Sequence, residues 1–347
     1  MASRRTLVAL VLAATIAAGG AAPAAASSWT LQHSPLKTAL LGVASGGPRS
    51  TWAFGFGAER WTASGWQVSP TPGLRGDLWD GVALGPSRMW AVGQSPVGGS
   101  GHGLIMERSG GAWHRIAGLA AVSGLRSIAR VPGTSRLWAA GWKGVGGTSA
   151  PLIEHKAGAG WQAASLPPGS GILNGIAAGR GETFAVGSSS SGALALRRTS
   201  AGWTRTPIPH GAGASLLGVA HVPGTVRFIA VGFRSGGGNH HPVAYLWDGA
   251  RWSGMAIDVS GRVGELDGVV SIRRGLAWAV GTTGPQLHTL AERWLMGPTW
   301  RRVPTPTPSG TCGLTLHSVT AVPGTPGPTL WAAGDDGCGF TTTERYR

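Results

Sequence analysis

One four-step module returns seven times along the chain: a short apolar segment near Gly-Val-Ala, a Trp-Ala-Val-Gly segment, a charged segment and a lone Trp. The second step reads Trp52-Ala53-Phe54-Gly55, Trp90-Ala91-Val92-Gly93, Trp138-Ala139-Ala140-Gly141, Phe184-Ala185-Val186-Gly187, Ile229-Ala230-Val231-Gly232, Trp278-Ala279-Val280-Gly281 and Trp331-Ala332-Ala333-Gly334. Its glycines lie 38 to 53 residues apart, a period that points to propeller blades rather than helical repeats. Each unit is broken by Gly and Pro and rich in Trp, Val and Thr, with no sustained 3.6-residue apolar stripe, so each is a small sheet.

The first step reads Leu41-Gly42-Val43-Ala44, Asp80-Gly81-Val82-Ala83, Arg126-Ser127-Ile128-Ala129, Asn174-Gly175-Ile176-Ala177, Leu217-Gly218-Val219-Ala220, Asp267-Gly268-Val269-Val270 and His317-Ser318-Val319-Thr320. Small residues suit strands that converge on a crowded axis, so this is the innermost strand. Three copies continue into Val131-Pro132-Gly133-Thr134, Val222-Pro223-Gly224-Thr225 and Val322-Pro323-Gly324-Thr325. Proline presets φ and the following glycine accepts φ > 0, the requirements of a type II turn.

The third and fourth steps form a second hairpin, as in Leu104 to Arg108 followed by Trp113, and the fourth strand runs toward a proline such as Pro72, Pro167, Pro207 or Pro304. Proline cannot donate to a ladder, which places this strand at the outer edge. The last copy ends at Thr343-Glu344-Arg345-Tyr346-Arg347, after its third strand, while Trp29 to Pro35 supplies the missing fourth. The expected fold is all-β: a seven-bladed β-propeller of four-stranded antiparallel blades, its ring closed by the N-terminal strand completing the last blade. The recurrent Trp residues belong between blades, since one indole covers roughly 150–250 Å² and spans two packed sheets.

Residues 1–26 read as a signal peptide and 27–347 as a single propeller domain. Arg4 and Arg5 precede the apolar run Leu7 to Ala18, and Ala24-Ala25-Ala26 offers a cleavage site before Ser27, the layout of an export signal. The general secretory route fits; Ser3-Arg4-Arg5 before Leu7-Val8 also resembles a twin-arginine signal. The chain is expected to be secreted or extracytoplasmic, with no integral membrane segment after cleavage. Cys312 and Cys338 flank the first hairpin of the last copy and are expected to form a disulfide. Free thiols or half of a metal site are the alternatives, disfavoured by the absence of Cys-x-x-Cys.

The formal charge is +15. Basic residues are spread over the copies, the densest clusters being the pairs Arg197-Arg198, Arg273-Arg274 and Arg301-Arg302. No nucleic-acid module or basic-aromatic patch is present, which argues against a nucleic-acid partner. Glu59-Arg60, Glu107-Arg108, Glu292-Arg293 and Glu344-Arg345 fall in the third strand, where solvated or lateral ion pairs are expected.

Two sets of residues are candidate ligand contacts. The residue ahead of each innermost core varies, which sets Asp80, Arg126, Asn174, Asp267 and His317 at a channel mouth. The stretches joining the second and third strands, Gln94 to Gly103, Trp142 to Ala150, Ser188 to Gly192, Phe233 to His241, Thr282 to Leu287 and Asp335 to Phe340, are irregular and Gly/Ser-rich. They make a rim that holds Trp142, Phe233, His240 and Asp335, and read equally as binding loops or inert flexible ones. Asn239-His240-His241 reads as a mobile polar loop.

Met89-Trp90-Ala91-Val92-Gly93 with Leu104-Ile105-Met106-Glu107-Arg108-Ser109-Gly110-Gly111-Ala112-Trp113 resembles the blade of Asp-box (BNR) propellers and the related photosystem II assembly-factor repeats. In that motif's turn the chain carries Ser109, Lys156 and Thr199, and retains Asp248 before Gly249. Sialidase-like members of that family use an arginine triad, an aspartate and a tyrosine nucleophile. The tyrosines here are Tyr245 and Tyr346, both within the blade framework. No complete catalytic set, cofactor or metal site is implied. The leading expectation is a secreted propeller that binds a polysaccharide or a protein through its loop-rich rim. The alternative is a glycoside hydrolase or lyase using Asp80 and Asp267 as acid and base.

Overall fold

The computed structural model describes residues 27–97, 100–116, 122–258, 263–297, 299–306, 312–338 and 341–347. The expected signal peptide, residues 1–26, lies outside them. The described residues form strands and connecting turns, without a helix.

In chain order the strands are β1 (Trp29–Gln32), β2 (Leu40–Ser45), β3 (Thr51–Gly55), β4 (Ala58–Thr62), β5 (Gly65–Ser69), β6 (Asp77–Ala83), β7 (Met89–Val97), β8 (Ser100–Ser109), β9 (Ala112–Ile116), β10 (Ser123–Arg130), β11 (Leu137–Val145), β12 (Thr148–Ala157), β13 (Gly160–Ala163) and β14 (Ile172–Ala178). They continue with β15 (Thr183–Ser189), β16 (Gly192–Thr199), β17 (Gly202–Arg205), β18 (Ala214–His221), β19 (Phe228–Gly236), β20 (Asn239–Trp247), β21 (Trp252–Ile257), β22 (Gly264–Arg273), β23 (Leu276–Thr283), β24 (His288–Trp294), β25 (Thr299–Val303), β26 (Thr315–Ala321), β27 (Leu330–Asp335) and β28 (Thr341–Tyr346). From β2 onward, successive groups of four pair antiparallel in order, as in β2-β3-β4-β5. The groups β18 to β21 and β22 to β25 are joined at their outer edges by a short parallel contact of Ala256 and Ile257 with Thr299 and Trp300. β1 pairs with β28, so a strand from the start of the chain lies at the outer edge of β26-β27-β28.

The first strands of the groups stand side by side in the order β2, β6, β10, β14, β18, β22, β26, and β26 also packs against β2. Between neighbouring groups lie the apolar cores, and the repeat-position Trp residues belong to them, with Trp52, Trp90, Trp278 and Trp331 at most 2 % exposed. The Val-Pro-Gly-Thr turns form as expected: Gly133, Gly224 and Gly324 have φ of 76°, 73° and 78°, and Thr134 N donates to Val131 O across the turn at 3.1 Å.

The third strands differ from expectation. Glu59, Glu292 and Glu344 are wholly buried; each lies opposite the Ala of the second strand, on the face that packs against the preceding group. Burial pushes the Glu59 and Glu292 carboxyls up to about 7 and that of Glu344 up to about 8. The neighbouring arginines are not their partners: Arg60, Arg293 and Arg345 lie opposite Trp52, Trp278 and Trp331, with the guanidinium 5.8, 5.6 and 5.3 Å from the ring centre. Part of the positive charge is therefore used in cation–π packing. Glu107 is one residue out of this frame, opposite Trp90, and alone of the four makes an ion pair among the described residues, with Arg88 at 2.7 Å.

Two of the longest stretches of the second-to-third-strand rim are hairpins rather than loops. β11 and β12 pair out to Val145 and Thr148, β19 and β20 out to Gly236 and Asn239. Their turns, Gly146-Gly147 and Gly237-Gly238, have φ of 55° and 80°, and 59° and 79°, the backbone of type I′ turns, which match the twist of the strands. His240 and His241 are thus strand residues, not a mobile loop. Cys312 and Cys338 are joined by the expected disulfide, Cα atoms 5.5 Å apart.

Candidate functional site

Every innermost strand carries a β-bulge at one place. The ladder slips after Leu40, Leu78, Leu125, Leu173, Leu216, Leu266 and Leu316, each of which faces the glycine that ends the Trp-Ala-Val-Gly segment. The two features require each other. A Cβ on Gly93, Gly141, Gly187 or Gly334 would lie 1.8–1.9 Å from a carbonyl oxygen of the residue before that leucine, so the bulge is possible only where the opposing residue has no side chain.

The bulge turns one extra residue toward the axis. In strand order these residues are Leu41, Trp79, Arg126, Asn174, Leu217, Asp267 and His317, and all line one cavity of about 570 Å³. The sequence reading is corrected at one position. The leucine frame makes Trp79, not Asp80, the equivalent of Leu41; Asp80 borders the same cavity but falls where the other copies have Gly or Ser. The signal that would have found Trp79 is the leucine ahead of every bulge, a stricter marker than Gly-Val-Ala.

The misplacement matters for chemistry. Asp80 points between groups: Oδ2 accepts from Ser127 Oγ at 2.8 Å and Ile128 N at 3.0 Å, and Oδ1 accepts from Gly81 N at 2.7 Å. Burial raises its carboxyl to about 6 against these hydrogen bonds. With both oxygens engaged in the scaffold, Asp80 is not placed to act with Asp267 on a shared substrate, and the acid/base pair expected of these two residues is not assembled.

The mouth has two unlike sides, separated by Leu41 and Leu217. On one, the Arg126 guanidinium lies 5.3 Å from the Trp79 ring centre and donates to Asn174 Oδ1 at 3.3 Å, while Asn174 Nδ2 donates to Leu216 O at 2.9 Å. Trp142 stands nearby: a Cβ on Gly124 would meet both the Trp142 and Trp79 indoles, so that glycine makes room for two rings. On the other side, His317 Nε2 donates to Asp335 Oδ2 at 2.7 Å, and its Nδ1 is 3.9 Å from Asp267 Oδ2. The hydrogen bond from His317 holds the Asp335 carboxyl below the usual range. Burial, with Glu265 and Asp335 close by, pushes Asp267 well above it. His240 is bonded to Glu265 at 3.1 Å and stacked on Phe233, ring centres 3.8 Å apart.

Arg126, Asn174, Asp267 and His317 therefore share the mouth with rim residues Trp142 and Asp335, and Asp80 borders the cavity with its carboxylate bonded to the scaffold; Phe233 and His240 join through Glu265. Glu265 had no sequence signal, because its partner His240 lies 25 residues away on another strand group. Among the described residues no group of His, Cys, Asp and Glu is arranged to hold a metal ion, and no helix is long and apolar enough to cross a membrane.

Neither a protein-family model nor a curated protein matches the chain. Solved structures do. YCF48 bound to D1 peptide is 14 % identical with a TM-score of 0.59, over 92 % of this chain and 96 % of that one. The WD40 repeats of RRP9 are 10 % identical with a TM-score of 0.67, over 94 % and 98 %. The WD40 β-propeller domain of Doa1 is 9 % identical with a TM-score of 0.63, over 92 % and 96 %. The chain has the β-propeller fold, and likeness at these identities extends to fold alone.

Proposed function

We propose that this chain is a secreted seven-bladed β-propeller, closed by its N-terminal strand, that binds a segment of another protein across the channel mouth. The observation that carries the reading is the bulge position. It is where a regular scaffold changes its chemistry from blade to blade, and the hairpin rim stands around it. Protein is preferred to polysaccharide because the mouth sets a guanidinium and two indoles opposite carboxylates and imidazoles. A peptide's mixed side chains match that pattern, and a neutral glycan does not. One similar propeller, YCF48, has been solved bound to D1 peptide, which supports a peptide ligand for this architecture. The turn in which Asp248 Oδ1 accepts from Ala250 N and Arg251 N supports kinship with Asp-box repeats. The Cys312–Cys338 bridge supports an oxidising compartment.

A photo-crosslinking residue placed at Leu217, in the mouth, tests this against one at Val226, exposed at the opposite end of the blades. The expected result is a discrete protein adduct from Leu217 alone, on a chain whose exported form begins at Ser27. Equal adducts from both positions, or retention of residues 1–26 in the cell, would count against it.

A further inference from the structure

The acid side of the mouth stands apart in a chain of charge +15. Glu265 and Asp267 reach it from β22 and Asp335 from β27. Among the described residues their ion-pair partners are the imidazoles of His240 and His317, and no arginine or lysine pairs with any of the three.

Asp267 is the least provided for. Its side chain is 11 % exposed, it lines the cavity, and its Oδ2 has no hydrogen-bond partner. His317 Nδ1 stands 3.9 Å away, beyond hydrogen-bond reach, with Nε2 already committed to Asp335. A buried carboxyl between two other carboxylates is stabilised by whatever positive charge reaches it. Burial and the neighbouring Glu265 and Asp335 push this carboxyl well above the usual range, which favours its protonated form in the free protein. Leu217, Val219 and Val269 line the cavity in the same and the adjoining strand, so a charged head on an aliphatic stem finds apolar surface for the stem.

We propose that the acid side of the mouth is a subsite for a cationic side chain of the bound protein segment, an arginine or lysine whose head meets Asp267 while Leu217 and Val269 take its stem. This rests on the reading that a protein segment binds at the mouth. Arrival of the cation breaks the O–H bond of Asp267 and sends its proton to solvent, so binding and proton release are linked. The other titratable groups facing Asp267 are Glu265, Asp335 and His317. Glu265 is held by His240 and Asp335 by His317, which leaves Asp267 as the group that exchanges its proton. Metal ions are not the fitting class, because the described donors form no metal-holding group.

The test uses the whole mature chain and two blocked pentapeptides, acetyl-Gly-Ala-Arg-Ala-Gly-amide and its citrulline counterpart, which keeps the shape and removes the charge. Calorimetric titration at pH 7 in phosphate and in Tris separates binding heat from proton transfer. The arginine peptide is expected to bind at least ~10-fold more tightly than the citrulline peptide and, unlike it, to release protons to the buffer. Asp267→Asn should bring it to the citrulline level and abolish the proton release. Trp142→Ala, across the mouth, should weaken both peptides alike. The citrulline comparison is made on the unaltered chain, so it holds even if Asp267→Asn folds poorly. Equal affinity for the two peptides overturns the cation subsite and leaves peptide binding at the mouth standing. Absence of binding by either at about millimolar concentration also overturns the subsite, while a Leu217 adduct would still uphold the mouth.

Discussion

Ser127 Oγ donates to Asp80 Oδ2 at 2.8 Å across the boundary between two strand groups. The same serine accepts from Ile176 N of the next group at 3.2 Å, and Ser318 does likewise for Val43 N at 3.2 Å. The position just after the bulge thus ties neighbouring innermost strands wherever it is polar. Where it is Gly42, Gly175, Gly218 or Gly268, atoms of the next strand come within 2.7–3.2 Å of the site a Cβ would occupy, so the strands close by direct backbone approach instead.

Asp80→Ala removes the acceptor for Ile128 N and Ser127 Oγ and leaves both half-buried. A loss of about 2 kcal/mol is expected, and about 1 kcal/mol for Asp80→Asn, which keeps one carbonyl acceptor. Urea denaturation followed by Trp fluorescence would measure it. A catalytic Asp80 would instead leave stability unchanged.

The buried glutamates set the pH dependence. Glu59, Glu292 and Glu344 hold their protons in the fold up to about 7, 7 and 8, whereas the unfolded chain gives them up near 4.3. The folded state therefore binds more protons across that interval. The stability these groups contribute is fully present below about pH 4 and is lost as the pH rises through 7 to 8. Asp335, lowered by His317, works in the opposite sense and loses its contribution only in acid. Scanning calorimetry should show a melting temperature about 5 °C or more lower at pH 8.5 than at pH 5.5, and Glu344→Gln should flatten that slope. A melting temperature that climbs over this range would contradict buried, proton-holding glutamates.

The propeller was legible because its strongest marker, Trp-Ala-Val-Gly, has a physical cause in each letter. The Trp and Val face one blade interface and the Ala between them the other, as the alternation of a strand requires, and the Gly accommodates a bulge. What the sequence concealed are single-residue shifts of frame. In a strand one step exchanges faces, so Asp80, which borders the mouth, turns its carboxylate between blades, and Glu107 does not share the burial of Glu59. The glycine pairs Gly146-Gly147 and Gly237-Gly238 were compositionally those of a flexible loop. Only the pairing register of the flanking strands makes them type I′ turns. The Asp267–His317–Asp335 cluster was legible as residues, but its connectivity was not, because Asp335 reaches His317 from the end of the partner strand.

Gly187→Ala tests the coupling between glycine and bulge. Its Cβ would lie 1.9 Å from Ile172 O, and backbone would have to move. A cost of about 3 kcal/mol is expected, together with weakened ligand binding, since the same bulge presents Asn174. Gly160→Ala, where a Cβ meets nothing within 4 Å, should stay within about 0.5 kcal/mol. Comparable losses at the two positions would mean that the bulge carbonyl is not what demands glycine.

The junction of the two ends of the chain rests on few residues and should be its weak point. Trp29 of β1 is 4 % exposed, packs edge-on to Trp278 at 5.8 Å and lies 5.5 Å from Tyr346. One indole thus joins the N-terminal strand to β28 and to the preceding group. Trp29→Ala removes all of these contacts and should cost about 3–5 kcal/mol. The disulfide acts on the same group through a 26-residue separation, so its removal by Cys312→Ser with Cys338→Ser should cost about 3 kcal/mol. Both act on one group, so the double lesion should exceed either alone, and limited proteolysis should cut first within residues 27–39 and 312–347. Early cleavage spread over the central blades instead would show that closure is not the limiting element.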